Sequence, residues 1–458
     1  MKSIKNKKID FAAVVCVVLM FAGFLSLAAK MATRFLMKKE ICSRILIETV
    51  FFDEPLMLDE YNRGIAGNFI SVDWAKEYPF TSKESERFAK IMLEEKDVKS
   101  DEAKHLQIGK IVNAVAFINK FLGYHFPKKY LLTENLKRLQ KIVGLSKLSE
   151  EEIDIKNIGN GFYSSFLTKK DILTNARVLK ELSDFLASKG TPFIYVQAPY
   201  KVDPDDKSIS GVKDFSNQNT DELLEYISGF NVTTIDMRKE IKNAGKNFYE
   251  CFYKTDHHWT AETGLWAAKI IAEKVNELSV NKVDVSVLES KNYERKVYPK
   301  IFLGSRGRAL TLVNCGMEDF TLITPKFEPV LDTEVYLMNS LYSKRSGGFE
   351  TLLFPEWLQK ENAIYEKNSY AIYLFGDTVD FIKNNGTKSN ARILMLGDSF
   401  TDVVEPFFCL GTKQFDALDL RVFNGSLCKY IEDNSPYDAV VMILNPGSYD
   451  DFNLWNFQ

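Results

Sequence analysis

This sequence predicts an α/β fold, a parallel sheet with helices on both faces, and three observations carry the prediction. From about residue 170 onward, segments with apolar residues at helical spacing alternate with short apolar runs, the pattern of a parallel sheet crossed by helices. The run at 193–196 stops at Ala198-Pro199, and proline punctuates strands. The chain has 458 residues, 45% hydrophobic and 26% charged, an ordinary globular composition with length for about two to four domains.

Taken in order, the chain opens with Lys2, Lys5, Lys7 and Lys8 ahead of an uncharged apolar run at 11–29. Such a run can cross about 30 Å of hydrocarbon as a helix. We read residues 1–30 as a retained membrane anchor; a cleaved signal peptide is the alternative, with Ser26 and Ala28 near a cleavage point. Lys30, Arg34, Lys38 and Lys39 follow the run, so basic charge flanks both sides and does not decide orientation. Residues 31–150 are charged and helix-leaning, and form a helical spacer or subdomain; residues 111–122 are amphipathic, with Ile111, Val115 and Ile118 on one face. His105 and His125 are isolated here and read as surface or packing residues.

The α/β domain occupies 151–458. Helices are expected at 172–188, 221–227 and 260–278, the last with Thr260 as its N-cap. Strands are expected at 193–196 and 232–235. A strand- and loop-rich insertion at about 292–390 is broken by Gly304, Gly307, Gly347, Gly348 and Pro355. Strands at 393–396, 420–422 and 439–444 follow, with helices near 403–409 and 427–431. In parallel sheets, sites form at the carboxyl ends of strands. Ser399 stands just past one such end.

The net charge of −3 leaves no basic excess for nucleic acid, so no nucleic-acid partner is expected. Outside the apolar run the cysteines are Cys42, Cys251, Cys315, Cys409 and Cys428, with no metal-type spacing. Their odd number argues against a disulfide framework and leaves room for one bridge.

Two stretches carry chemistry. Asp256-His257-His258-Trp259 holds two of the four histidines, and Leu396-Gly397-Asp398-Ser399-Phe400 sets a serine after a strand. A serine hydroxyl needs a neighbouring base to become a nucleophile, and a carboxylate fixes that base's tautomer. Asp256 and His258 are two residues apart, so in an extended segment their side chains share a face, and His257 points away as the second choice of base. A helix starting directly after Ser399 would aim backbone N–H groups at the oxyanion formed on acyl attack. Trp259 either packs beneath the histidine or anchors the following helix. An Asp-His-His cluster can also hold a metal, but catalytic zinc needs at least three well-placed protein ligands and no partner outside the cluster is visible, so no metal is assigned. Gly376-Asp377-Thr378 also follows an apolar run, but Asn384-Asn385-Gly386 cuts short any helix after it.

Asp256-His257-His258-Trp259 matches the signature that names the DHHW proteins. Across residues 150–458 the chain resembles alginate-type polysaccharide O-acetyltransferases with an SGNH-hydrolase-like domain, in which Asp-x-His-Trp precedes Gly-Asp-Ser-Phe. Ala198-Pro199-Tyr200-Lys201, Phe302-Leu303-Gly304-Ser305 and Asp419-Leu420-Arg421 also resemble family segments. In ordinary SGNH hydrolases the serine comes first and an Asp-x-x-His block last; here the order is reversed and the spacing one shorter. The resemblance implies a three-layer SGNH-like domain with Ser399 as nucleophile, His258 as base and Asp256 as its orienting partner. Gly304 and Asn445 are the candidates for the oxyanion hole, and Arg421 and His257 are further oxyanion or substrate candidates. The implied activity is acetyl transfer onto a cell-surface or secreted polysaccharide by a membrane-anchored protein facing outside the cytoplasm. A membrane-bound O-acyltransferase partner would supply acetyl, with no soluble cofactor. A carbohydrate esterase with the same triad, or a non-catalytic cell-envelope scaffold, are the rival expectations.

Overall fold

The structure is a computed structural model and describes residues 155–458, apart from 210–212, 231, 338, 359–364, 366–367, 456 and 458. The anchor expected at 1–30, the helical segment at 31–150, Cys16, Cys42, His105 and His125 lie outside the described residues. Among the described residues no helix is long and apolar enough to cross a membrane. Cys251, Cys409 and Cys428 are thiols, not members of a disulfide.

A small antiparallel pair opens the domain, β1 (Ile155–Asn157) and β2 (Tyr163–Ser165). Helix α1 (Leu173–Ser188) then leads to β3 (Phe193–Gln197), and α2 (Ser216–Gly229) to β4 (Thr233–Asp236). Short α3 (Met237–Asn243) and long α4 (Ala261–Leu278) follow, and Thr260 caps α4 by accepting from the Thr263 N–H, as its sequence predicts. Next come β5 (Tyr293–Phe302), the short helices α5 (Ser305–Leu310) and α6 (Leu312–Cys315), and β6 (Glu318–Pro325). Then β7 (Leu331–Leu337), β8 (Ser340–Gly347), β9 (Val379–Asn384) and β10 (Arg392–Gly397) lead to the one-turn α7 (Glu405–Phe408). The chain finishes with β11 (Gln414–Asp419), α8 (Leu427–Asn434) and β12 (Ala439–Leu444).

Eight of these strands form one sheet in the order β4-β3-β12-β10-β11-β9-β7-β8. The first five are parallel, while β9, β7 and β8 join antiparallel. The sheet is therefore mixed, not purely parallel. The reason lies in the region read as an insertion: three of its strands extend the sheet, and only β5 and β6 stand apart as a separate ribbon.

Alternation along the central strands builds both layers, because successive side chains leave opposite faces. Tyr195, Leu394, Leu396, Met442 and Leu444 meet Leu179, Leu182 and Leu186 of α1, Leu223 and Ile227 of α2, and Leu427 and Ile431 of α8. Ile194, Val196, Ile393, Met395, Val441 and Ile443 meet Ala268, Ile271 and Val275 of α4 and Phe407 and Phe408 of α7. Each such aliphatic side chain contributes about 1.5–3 kcal/mol when fully buried. Strands apolar on both faces are what a sheet covered on both sides requires.

Two expected elements are displaced. The strand expected at 420–422 is β11, ending at Asp419. The helix expected at 403–409 shrinks to α7, so turns, not helix, follow Ser399 directly.

Candidate active site

The site is built on the segment between α3 and α4. Phe252 bridges to Trp259, the Tyr253 N–H donates to the His258 carbonyl at 3.1 Å, and the Thr260 N–H to the Cys251 carbonyl at 2.9 Å. The enclosed residues bend sharply instead of running extended. Lys201, almost wholly buried, fills the inside of the bend: its Nζ donates to the carbonyls of Tyr253 at 2.9 Å, Lys254 at 3.1 Å, and Asp256. Burial pushes the Lys201 ammonium down to about 7, against the pull of Asp256 and Glu318. Glu318, at the start of β6, accepts from the N–H groups of Lys254 and Thr255, both at 2.7 Å, and from the Thr255 hydroxyl.

The bend presents Asp256 to His258. Asp256 Oδ1 accepts from the His258 backbone N–H at 3.0 Å and lies 2.5 Å from its Nδ1. The two-residue spacing works through this turn, not through strand alternation. Asp256 Oδ2 accepts from the Ser305 N–H at 2.5 Å. Burial alone would raise the Asp256 pKa, but the two imidazoles and the Ser305 N–H hold it well below the carboxylate range. His258 Nε2 lies 2.6 Å from Ser399 Oγ. Asp256, His258 and Ser399 thus form one continuous relay.

Ser399 is held from several sides. Gly397 ends β10, and Asp398 accepts from the N–H of Phe400 and the N–H of Asn445, each at 2.9 Å, and from the Ser448 hydroxyl at 2.6 Å. The Trp259 indole donates to the Phe400 carbonyl at 2.9 Å, so Trp259 braces the serine turn from within the core. The Tyr370 hydroxyl donates to the Ser399 carbonyl at 2.9 Å, and its ring stacks on His258 with centroids 4.1 Å apart. One buried tyrosine therefore sets both the base and the serine backbone.

The other sequence candidates have different surroundings. His257 lies beside His258, ring centroids 3.7 Å apart, with Nδ1 2.8 Å from Ser305 Oγ and a side chain 30% exposed. It is next to the relay but does not reach Ser399. The Gly304 N–H donates to Thr255 Oγ1 at 2.9 Å and is thereby engaged. A Cβ there would sit 2.3 Å from Asp256 Cβ, so the glycine serves close approach of the two segments. Asn445 donates a side-chain N–H to the Pro199 carbonyl at 3.1 Å, and its Oδ1 accepts from the Gly447 N–H at 2.8 Å. Arg421 is bound by Asp419 and Asp377. These contacts make Asn445 and Arg421 braces of the strand ends.

Among the described residues, two groups of acidic or imidazole side chains bring ligand-type atoms within 4.8 Å: Asp256 with His257 and His258, and Asp377 with Asp402 and Asp419. In the first, both nitrogens of His258 face Asp256 and Ser399. In the second, Arg421 already supplies positive charge to Asp377 and Asp419. Asp377 belongs to the Gly-Asp-Thr segment set aside from its sequence; Thr378 Oγ1 there lies 2.7 Å from the Gly376 carbonyl and 2.8 Å from Asp380.

Sequence reading missed Tyr370, Glu318, Ser305 and Lys201 as parts of the site. Lys201 and Ser305 stand in quoted family-like segments, which was the available signal; Tyr370 and Glu318 carried none.

Residues 162–305 match the family model described as SGNH hydrolase-like domain, acetyltransferase AlgX. The match takes in Asp256 and His258 and ends before Ser399. The chain is similar in structure to Bacillus cereus PatB1, at 20% identity over 66% of this chain and 99% of that one, with a TM-score of 0.55. PatB1 with a sulfonyl adduct matches at 19% identity over the same shares, with a TM-score of 0.53. A DHHW family protein from Eubacterium siraeum matches at 15% identity over 66% of this chain and 96% of that one, with a TM-score of 0.51. No curated protein matches the sequence. The resemblance to DHHW proteins and SGNH-hydrolase-like acetyltransferases stands, and the shared fold is an SGNH-like α/β domain with a mixed sheet.

Proposed function

We propose that this protein is an O-acetyltransferase that moves acetyl groups onto hydroxyls of an extracytoplasmic polysaccharide through an acetyl-Ser399 intermediate. The observation that carries the proposal is the relay from Asp256 through His258 to Ser399 Oγ, closed at 2.5 and 2.6 Å. The family description for residues 162–305 supports acetyl chemistry.

In the first half-reaction Ser399 Oγ attacks the donor's acetyl carbon while its proton passes to His258 Nε2. Asp256 steadies the imidazolium, and the proton then goes to the departing donor group. In the second half, a sugar hydroxyl gives its proton to His258 and attacks the acetyl-serine ester. Ser399 Oγ leaves and takes the proton back. The Ser399 N–H, which meets no acceptor among the described residues, is the donor we assign to the oxyanion. Water in place of the sugar would make the same relay an esterase.

The donor side belongs to the same proposal. A membrane-bound O-acyltransferase would deliver acetyl, and the apolar run at 11–29 would anchor the domain outside the cytoplasm; the length of that run supports an anchor. No soluble cofactor takes part.

The test uses an activated acetyl ester as donor and mass spectrometry of the protein. The native chain should release the alcohol and carry acetyl on Ser399, and added oligosaccharide should receive it. Ser399→Ala and His258→Ala should each lower ester turnover by about ten-thousand-fold, with His257→Ala costing far less. A sulfonyl fluoride should modify Ser399 and block acetylation. Absence of acetyl-serine with every donor, together with no turnover, would leave a non-catalytic scaffold. Equal losses from the two histidine variants would move the base away from His258.

A further inference from the structure

Asp377, Asp402 and Asp419 come from three separate segments: the turn ahead of β9, the turns after Ser399, and the end of β11. Their carboxylates approach to within 4.8 Å of one another. Arg421 joins two of them, bonding Asp419 through both oxygens and Asp377 through Oδ1. Asp402 points into this group from another part of the chain. It is 5% exposed, and a Cβ on Gly376 would lie 3.8 Å from its Oδ2. Among the described residues its carboxylate accepts a hydrogen bond from no donor. The buried carboxylates around it are better served. Asp398 accepts from the Phe400 and Asn445 N–H groups and the Ser448 hydroxyl, and Asp380 from the Thr378 hydroxyl. Asp416 accepts from the Tyr437 hydroxyl, and Glu405 lies beside the Thr401 hydroxyl. A buried carboxylate without donors is unfavourable unless something outside the chain completes it.

The donor set says what would do so. Three ionised carboxylates against one guanidinium leave two negative charges, which one divalent cation offsets. The group offers only carboxylate oxygen, with no thiolate or imidazole, and such sets suit hard cations. Calcium bonds oxygen at about 2.4 Å in flexible geometry, so oxygens up to about 4.8 Å apart can share one ion. Magnesium demands about 2.1 Å and a near-ideal octahedron, and it gives up its waters reluctantly. Asp377 Oδ2 and both Asp402 oxygens are not engaged by Arg421, and Asp419 Oδ2 accepts only one bond. The Asp377 side chain is 56% exposed, which gives an ion its way in and leaves water to fill its remaining positions.

We propose that Asp377, Asp402 and Asp419 form a calcium site that ties the turns after Ser399 to the turn ahead of β9 and to the end of β11. It lies apart from the relay of Asp256, His258 and Ser399, and the inference does not depend on the acyltransferase reading.

The experiment strips the full chain with a chelator and titrates it with calcium alone, read by calorimetry and by the thermal unfolding midpoint. One calcium should bind with Kd at or below about 1 mM, and the midpoint should rise with calcium concentration. Asp402→Asn keeps the shape of the side chain and should weaken binding at least about tenfold, with the midpoint shift lost in proportion. Asp377→Asn, at an exposed position that folding does not depend on, should also weaken it. Magnesium at equal concentration should give a smaller shift. Absence of calcium-dependent heat and of any midpoint shift overturns the site. So does calcium binding that survives unchanged in both variants, which would place the ion elsewhere, and tighter binding of magnesium than of calcium overturns the choice of ion.

Discussion

Asp256 serves His258 twice, once at the ring and once at the backbone, so the carboxylate fixes the tautomer and the local chain direction together. That arrangement depends on three carbonyls turning inward to Lys201. Lys201→Met keeps the length of the side chain and removes every donor, leaving the Tyr253, Lys254 and Asp256 carbonyls without that partner. The bend should relax by a fraction of an ångström, and acyl-transfer kcat should fall about 10- to 100-fold with little change in KM, read by steady-state kinetics with an activated ester. An unaltered kcat would mean that Glu318 holds the bend alone. Of these residues, Asp256, His258 and Ser399 were legible in the sequence because their types and neighbours imply chemistry. Tyr370 was not, since an aromatic residue in an apolar run reads as core.

At the scale of elements, α4 carries the base into place and packs against the turn after Ser399. Gly264 is the point of contact: a Cβ there would lie 2.1 Å from the Val403 carbonyl oxygen. Helix propensity alone predicts that Gly264→Ala stabilises by about 1 kcal/mol. The contact predicts the opposite, a loss of about 1–3 kcal/mol by urea unfolding together with weakened acylation, because α4 must back away from the serine turn. A more stable variant would show that the turn yields instead. The same scale explains where sequence reading slipped. β11 alternates apolar residues with Asp416 and Asp419, both buried, and a strand that buries carboxylates does not look like one. Asp416 is accommodated by the Tyr437 hydroxyl at 2.5 Å, a partner far along the chain.

For the whole molecule, the apolar layer behind the sheet also contains acids. Asp380, Asp402, Glu405 and Asp419 are all buried, and only Asp419 among them pairs with Arg421. Burial pushes Glu405 up to about 7 and Asp419 up to about 6. A carboxyl whose pKa is higher folded than unfolded binds its proton more tightly in the native state. The stability it contributes is full below its ordinary value of 4.5 and is lost as pH rises through about 7. Urea unfolding should therefore show a decline between about pH 5 and pH 8, and Glu405→Gln should flatten part of it. An identical decline in the variant would place the titration on another group.

By itself the sequence determined the helix–strand alternation, the cap of α4 and the residue types of the relay, because hydrophobic spacing and side-chain chemistry are local properties. Only the tertiary structure decided that three strands of the supposed insertion would extend the sheet, that Gly304 and Asn445 would brace the site, and that Lys201 and Tyr370 would hold it. The reason is distance along the chain. Hydrogen-bond partners 141 residues apart, as His258 and Ser399 are, leave no periodicity to read; the folding of β10 against α4 alone brings them together.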